Sequence, residues 1–280
     1  MGCAIAEEFS EHPEYRIYKI DSTIEERGSL SLGEFADMQE YEEELDISAV
    51  EVYLRSIRDT DEVLLIMTGG EPISGTVLKI LGSIQDCKIS LLYVCPERSM
   101  ISQLEKRDDK IAFNVVQEYA RSGVINNVFL IDKGSIEAMM GDVSITDYER
   151  SLCHLISYTV AMINYFQHTK PILKNGATPM PWARIGAFGI SSLDEAHQLQ
   201  MMFPLKNIDD LHFYYGFPRE ELDSDPTLMK QIKQHTRFYQ DTSKSTSFSV
   251  YSTTFDKPMV LAVAYSSVIQ PFVSGGVVSS

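Results

Sequence analysis

The run Val63-Leu64-Leu65-Ile66-Met67 constrains this chain more than any other stretch, because of the turn it leads into. It has strand length and stops at Thr68. A turn bearing Gly69, Gly70 and Gly75 then leads into Val77, Leu78, Ile80 and Leu81 at helical spacing. Strand, glycine turn and helix is how an α/β sheet presents a helix N-terminus, with free N–H groups and room for an anion to approach the backbone. No Gly-Lys-Ser/Thr closes the turn, so it is not a Walker loop. Two readings stay open at this level: a phosphate site and an ordinary strand-to-helix connection.

The flanking sequence repeats the alternation. A helix pattern over 1–11 (Ile5, Phe9) precedes a short strand, Tyr15 to Ile20, that ends at Asp21. An acid there is where doubly wound nucleotide folds often contact a ribose. Such a sheet also calls for a strand ahead of Gly2, either upstream of Met1 or lost from the fold. Residues 22–46 form an acidic connector (Asp37, Glu40, Glu42, Glu43, Glu44, Asp46), which suits a solvated helix face. A helix over 47–58 returns the chain to the 63–67 strand. A helix over 75–84, a strand over 89–95, a polar loop over 97–109, a helix from about Lys110 to Ser122 stopped by Gly123, and a strand Val128–Ile131 complete the series. Strands alternating with helices predict a largely parallel sheet with right-handed crossovers.

One long helix comes next, over 146–168. Leu152, Leu155, Ile156, Thr159, Val160, Ile163 and Phe166 recur at helical spacing, and the usual rise makes it roughly 35 Å long, enough to join two domains. His154 and Tyr158 within it are expected to pack in the core. Beyond Lys170–Trp182 the pattern becomes mixed: strand 184–190, a possible helix 193–202, strand 210–215, a helix within 226–239, and strands 248–252 and 259–265. The fold class is α/β. It divides into a parallel-sheet nucleotide-binding domain (1–145), a central helix (146–168), a linker (169–182) and a smaller mixed-sheet α/β domain (183–280).

A net charge of −16 argues against a nucleic-acid surface, which needs clustered Lys and Arg, and against docking on anionic lipid. No apolar run approaches the roughly 18 residues of a membrane span. Cys3, Cys87, Cys95 and Cys153 form no C-x-x-C pair, so neither zinc nor a disulfide framework is indicated, and a reducing, cytoplasmic setting fits.

The order of these pieces resembles the tubulin/FtsZ superfamily over nearly the whole chain. Gly2-Cys3-Ala4-Ile5-Ala6 is similar to the end of the family's first glycine loop, and Thr68–Gly75 stands where its glycine-rich signature grips phosphates. Val94-Cys95-Pro96 resembles the strand end before the ribose-contacting loop, and Lys110-Ile111-Ala112-Phe113-Asn114 the helix start after it. Ile131-Asp132-Lys133 is similar to the family's Ile-Asp-Asn, and Cys153-His154-Leu155-Ile156-Ser157 to its Asn-His-Leu-Val-Ser. Pro179–Ile185 resembles the lead into the second domain.

The resemblance implies a GTP or GDP site, with Mg possible. Gly69, Gly70, Ser74 and Gly75 would lie on the phosphates, with Gly2 and Cys3 as a remnant of the first loop. Glu97 or Glu105 would meet the ribose, Lys133 would replace a base-reading asparagine, and Tyr148 would cover the base. It also implies head-to-tail self-association. The departures are equally specific. Glu71 places a carboxylate where phosphate belongs and Pro72 removes a donor. Lys133 and Cys153 replace the two guanine-reading asparagines, and neither side chain is an amide able to donate and accept together. Lys170–Pro181 contains no Asp or Glu where the family carries its water-polarising acids, so no catalytic residue and no metal ligand is assigned.

Two functions are consistent with these residues: a divergent nucleotide-binding, filament-forming protein with weak or absent hydrolysis, or a structural and interaction module with a dead site. A Rossmann-type cofactor enzyme is disfavoured by the lack of G-x-G-x-x-G spacing.

Overall fold

The computed structural model describes residues 1–176, 179–193 and 198–272. In chain order the first part holds α1 (Gly2–Glu8), β1 (Ile20–Asp21), β2 (Leu30–Ser31), α2 (Met38–Glu44), α3 (Ile47–Leu54), β3 (Glu62–Thr68), α4 (Val77–Ser83), β4 (Lys88–Cys95), α5 (Gln103–Ser122), β5 (Asn127–Asp132) and α6 (Lys133–Met140). Next come the long α7 (Tyr148–His168), β6 (Leu173–Asn175), β7 (Ile185–Ser191), β8 (Leu199–Met201), β9 (Ile208–Pro218), α8 (Arg219–Ser224), α9 (Leu228–Phe238), β10 (Ser243–Thr253) and β11 (Met259–Ser266).

The strands of both halves join in one sheet ordered β3-β4-β5-β7-β11-β9-β10-β6, with β8 on the flank of β7. Its first part is parallel, as the alternation predicts; β11 runs antiparallel to both β7 and β9. Among the described residues the strand ladder joins the halves through two register pairs, Val128 with Ile185 and Phe129 with Gly186. Strand side chains alternate between faces, so the sheet feeds separate cores. Leu92, Val94, Phe129 and Ile131 pack with α1 and α7, while Leu91, Tyr93, Val128 and Leu130 pack with α3, α4 and α5. A third core joins Phe213, Tyr215 and Phe217 of β9 to Ile232 of α9.

α7 is buried along Leu152, Cys153, Ile156, Val160, Ile163 and Phe166, as its period requires. Its His154 and Tyr158 do not pack in the core. They lie on the solvated side, with His154 Nδ1 3.1 Å from Glu8 Oε2.

Four further expectations are corrected. Residues 15–19 are not a strand of the main sheet; only Ile20–Asp21 ladders, and it pairs with β2 in a separate two-stranded sheet. α5 begins at Gln103, not at Lys110, because Ser102 and Glu105 form a reciprocal capping box that starts the helix earlier. The helix expected over 193–202 is not present at its end: Leu199–Met201 is a strand on β7, and residues 194–197 lie outside the described residues. Pro72–Thr76 forms a short 3-10 turn, which delays α4 to Val77. The glycine stop of α5 falls at Gly123 as expected, left-handed at φ 86°.

Candidate functional site

The C-terminal ends of β3, β4 and β5 open on one side of the sheet, the position where open α/β sheets take ligands. Thr68, Glu71 and Ile73 line this cleft with the N-terminus of α1 and Asp21, and Lys133 of α6 acts on the Glu71 carboxyl through its charge. Gly69 N–H closes the β3 end by donating to Val94 O at 3.0 Å. The N–H groups of Gly70 and Glu71 meet no acceptor among the described residues. Gly70 holds φ +80°, a left-handed conformation that favours glycine.

The other glycines are spent on packing. A Cβ on Gly69 would strike the Tyr93 hydroxyl and Asp109 Oδ1, and one on Gly75 would strike Met38 O of α2. Beneath Gly69 lies a buried polar knot. Tyr93 Oη donates to Asp109 Oδ1 at 2.6 Å, and Arg98 Nε donates to Asp109 Oδ2 at 3.0 Å. Loss of water and the neighbouring Asp109 carboxylate push the Tyr93 hydroxyl well above its ordinary value, so it stays a donor. The rim of the loop is therefore fixed from below and covered by α2; Gly70 is buried, and Glu71 is the residue of the turn that is open to solvent.

Glu71 is open to solvent in the cleft yet surrounded by protein. The loss of bulk water raises its carboxyl above the ordinary value; the Met1 amino group and Lys133 work against that rise, and Asp21 adds to it. Thr68, at the end of β3, has a buried hydroxyl with no partner, and a buried polar atom without a partner marks a place where something else docks or strain is held.

The residues implied by the resemblance fall into three groups. Gly2 and Cys3 line the cleft, Gly70 is buried behind Glu71, and Lys133 acts on the Glu71 carboxyl through its charge. Cys3 Sγ donates weakly to Ile20 O, and burial first, then Asp21, raises its thiol. Gly69, Ser74 and Gly75 are engaged inside the protein; Ser74 Oγ donates to Glu71 O at 2.6 Å. Glu105 is held in the α5 capping box, where Ser102 N–H donates to its Oε2 at 2.7 Å. Glu97 accepts from Ser99 Oγ at 2.6 Å. Tyr148 donates to Glu137, and burial together with that carboxylate pushes its hydroxyl up to about 12. Thr68 is not marked by the sequence pattern; its only signal there is a hydroxyl closing an apolar strand. Among the described residues no group of three or more His, Cys, Asp or Glu is arranged to hold a metal, and no helix is long and apolar enough to cross a membrane.

The sequence matches no family model and no curated protein. Solved structures do match over most of their length. The FtsZ dimer from M. jannaschii superposes with a TM-score of 0.69 at 10% identity, covering 94% of this chain and 84% of that one. CetZ from Methanosaeta thermophila gives 0.65 at 12%, covering 95% and 82%. The GTPγS-form protofilament of TubZ from Bacillus thuringiensis gives 0.64 at 12%, covering 95% and 84%. The fold and the cleft at its strand ends thus define a class of α/β protein with a long central helix packed along the strands of both halves. That architecture is the tubulin/FtsZ fold, and the chain has it.

Proposed function

We propose that this chain is a divergent tubulin/FtsZ-type protein that binds a nucleotide phosphate at the tip of the 69–71 turn and hydrolyses it weakly or not at all. The observation that carries the reading is the pair of free N–H groups, on Gly70 and Glu71, at the end of a central parallel strand with Lys133 nearby. Those donors and the ammonium suit a phosphate. The Glu71 carboxyl does not suit it unless a proton or a cation neutralises it.

Weak hydrolysis is supported by the segment after α7. It carries no acid from Lys170 to Pro181, and Leu173–Asn175 is laddered onto β10. One matched structure is a GTPγS-form protofilament and another is a two-stranded filament of TubZ. Head-to-tail association of this chain is proposed on that likeness, since a heterologous contact that does not close makes a filament.

Calorimetric titration with GTP, ATP and their diphosphates tests the reading, alongside sedimentation with and without nucleotide. Binding weakened by Lys133→Glu, with turnover at background even at high protein concentration, is the expected result. Brisk GTP turnover would reject the hydrolysis part. The second reading, a structural module with a dead site, is favoured by one observation: Ser74 and Gly75 are committed to the protein's own packing. Silence with every nucleotide would select it.

A further inference from the structure

Residues 267–272, which follow β11, turn back from the mixed half and lie against α5 of the parallel half. Gln270 ties this strap to both. Its side-chain oxygen accepts from Lys206 N–H at 2.7 Å and its Nε2 donates to Lys206 O at 3.1 Å, just ahead of β9. Its backbone N–H donates to Gln117 Oε1 of α5 at 2.7 Å, and Gln117 Nε2 donates to Gln270 O at 3.4 Å. Both glutamines are buried. One side-chain amide that accepts from and donates to the same backbone residue fixes the register of the strap, so the residue two places on is delivered to a set position.

That position is the guanidinium of Arg98. Arg98 Cζ lies 3.8 Å from the centre of the Phe272 ring and 5.6 Å from that of Phe113, and the two rings meet edge-on with centres 5.7 Å apart. The other side of Arg98 belongs to the knot beneath the glycine turn. Its Nε donates to Asp109 Oδ2, Asp109 Oδ1 accepts from the Tyr93 hydroxyl, and Gly69 sits so close on that pair that a Cβ would strike both.

An unbroken line of contact therefore runs from Phe272 through Arg98 to Asp109, Tyr93 and Gly69. Arginine is long, and holding its planar fork on one carboxylate costs rotamer freedom. An aromatic face removes that freedom beforehand, because its negative face attracts a cation that is short of water. The Arg98 side chain is only 9% exposed, so this condition is met. An aliphatic side chain of similar size would cover the guanidinium without attracting it.

We propose that Phe272 is a positioning residue for the 69–71 turn: the strap sets its ring on Arg98, Arg98 orients Asp109, and the Asp109–Tyr93 pair holds Gly69, so that phosphate affinity at the turn depends on a residue of the mixed half. The inference rests on the reading that this turn takes a phosphate, and adds to it the residue that holds the turn in shape.

The test uses the full 280-residue chain with Phe272→Leu, which keeps apolar cover, and Phe272→Tyr, which keeps the ring. Amide exchange is read at Gly69, whose N–H is bonded to Val94 O, with the β9 amides as control, and GDP is titrated calorimetrically. Phe272→Leu should speed exchange at Gly69 by about three- to tenfold and weaken GDP by about the same factor. Phe272→Tyr should restore both, and β9 should be unchanged in either variant. Gly69 unmoved by loss of the ring, or moved equally by Leu and Tyr, would overturn the proposal. So would acceleration shared with β9, which would be a general loss of stability, and so would undiminished GDP affinity in a variant whose Gly69 has loosened. A wild-type chain silent with GDP, whose Gly69 still follows the ring, would reject the nucleotide reading while upholding Phe272 as the residue that positions the turn.

Discussion

β9 and β3 are both apolar strands of one sheet, and they live in opposite surroundings. β9 has a neighbour on each side, and nine consecutive residues from Asp209 to Phe217 are buried. Among the described residues β3 has one strand neighbour, and its four central apolar residues are each only partly covered. Polar groups show the same contrast. Around β9, His212 lies 2.7 Å from Ser247 Oγ and 3.1 Å from Ser249 Oγ, and His235 Nδ1 lies 2.7 Å from the Tyr215 hydroxyl. At the end of β3 the Thr68 hydroxyl and the Gly70 and Glu71 amides have no partner among the described residues. A finished network holds a fold together, whereas a cluster of unmet groups beside a cleft is where other molecules are met.

Core truncation should separate the two strands most. Phe213→Ala on β9, fully buried, should lower unfolding free energy by about 3–5 kcal/mol, while Leu64→Ala on β3 should cost only about 1–2 kcal/mol. Urea denaturation of both variants decides it, and equal losses would break the contrast. Next in size is the knot beneath the turn. Asp109→Ala leaves Arg98 buried without its carboxylate and should cost about 3–5 kcal/mol, with the 69–71 turn losing its seat; amide exchange at Gly69 reads that directly.

A smaller effect comes from His212. Burial first, and Lys174 second, lower it from 6.5 to about 4. The unfolded chain therefore takes up this proton first, and the histidine's contribution is intact above about pH 6.5 and lost as pH falls toward 4, at up to about 1.4 kcal/mol per pH unit. His212→Gln should flatten the urea midpoint across that window by the same amount. Smallest is Glu71→Gln. Its raised carboxyl makes the ionised form unfavourable in the fold, so the substitution should stabilise at neutral pH by less than about 1 kcal/mol in this solvent-reached position. It should also tighten phosphate binding in calorimetry; weaker binding would assign the carboxylate a cation-holding part.

Much of the fold is legible in the sequence because apolar periodicity is a local signal. The runs at 63–67, 89–95, 128–131 and 259–265 are strands, and α7 falls within two residues of the span its periodicity predicts. The start of α5 is misplaced to about Lys110 by apolar periodicity, because its first turns are polar; the signal that marks it, the Ser102-x-x-Glu105 capping box, is local and present in the sequence. β6 is not legible at all: Leu173-Lys174-Asn175 is exposed and polar, and only its pairing to β10 makes it a strand. The cleft is legible as a glycine turn but not in its division of labour.

The order of residues alone determined where the central strands 63–67, 89–95, 128–131 and 259–265 and the long helix α7 form and that a glycine turn ends a central strand, since those depend on backbone sterics and on the period of apolar side chains. Tertiary structure alone decided which glycines serve the protein's own packing, which amides stay free, and that Ile20–Asp21 pairs with β2 outside the main sheet. Those are contacts between segments distant in sequence, and no local pattern carries them.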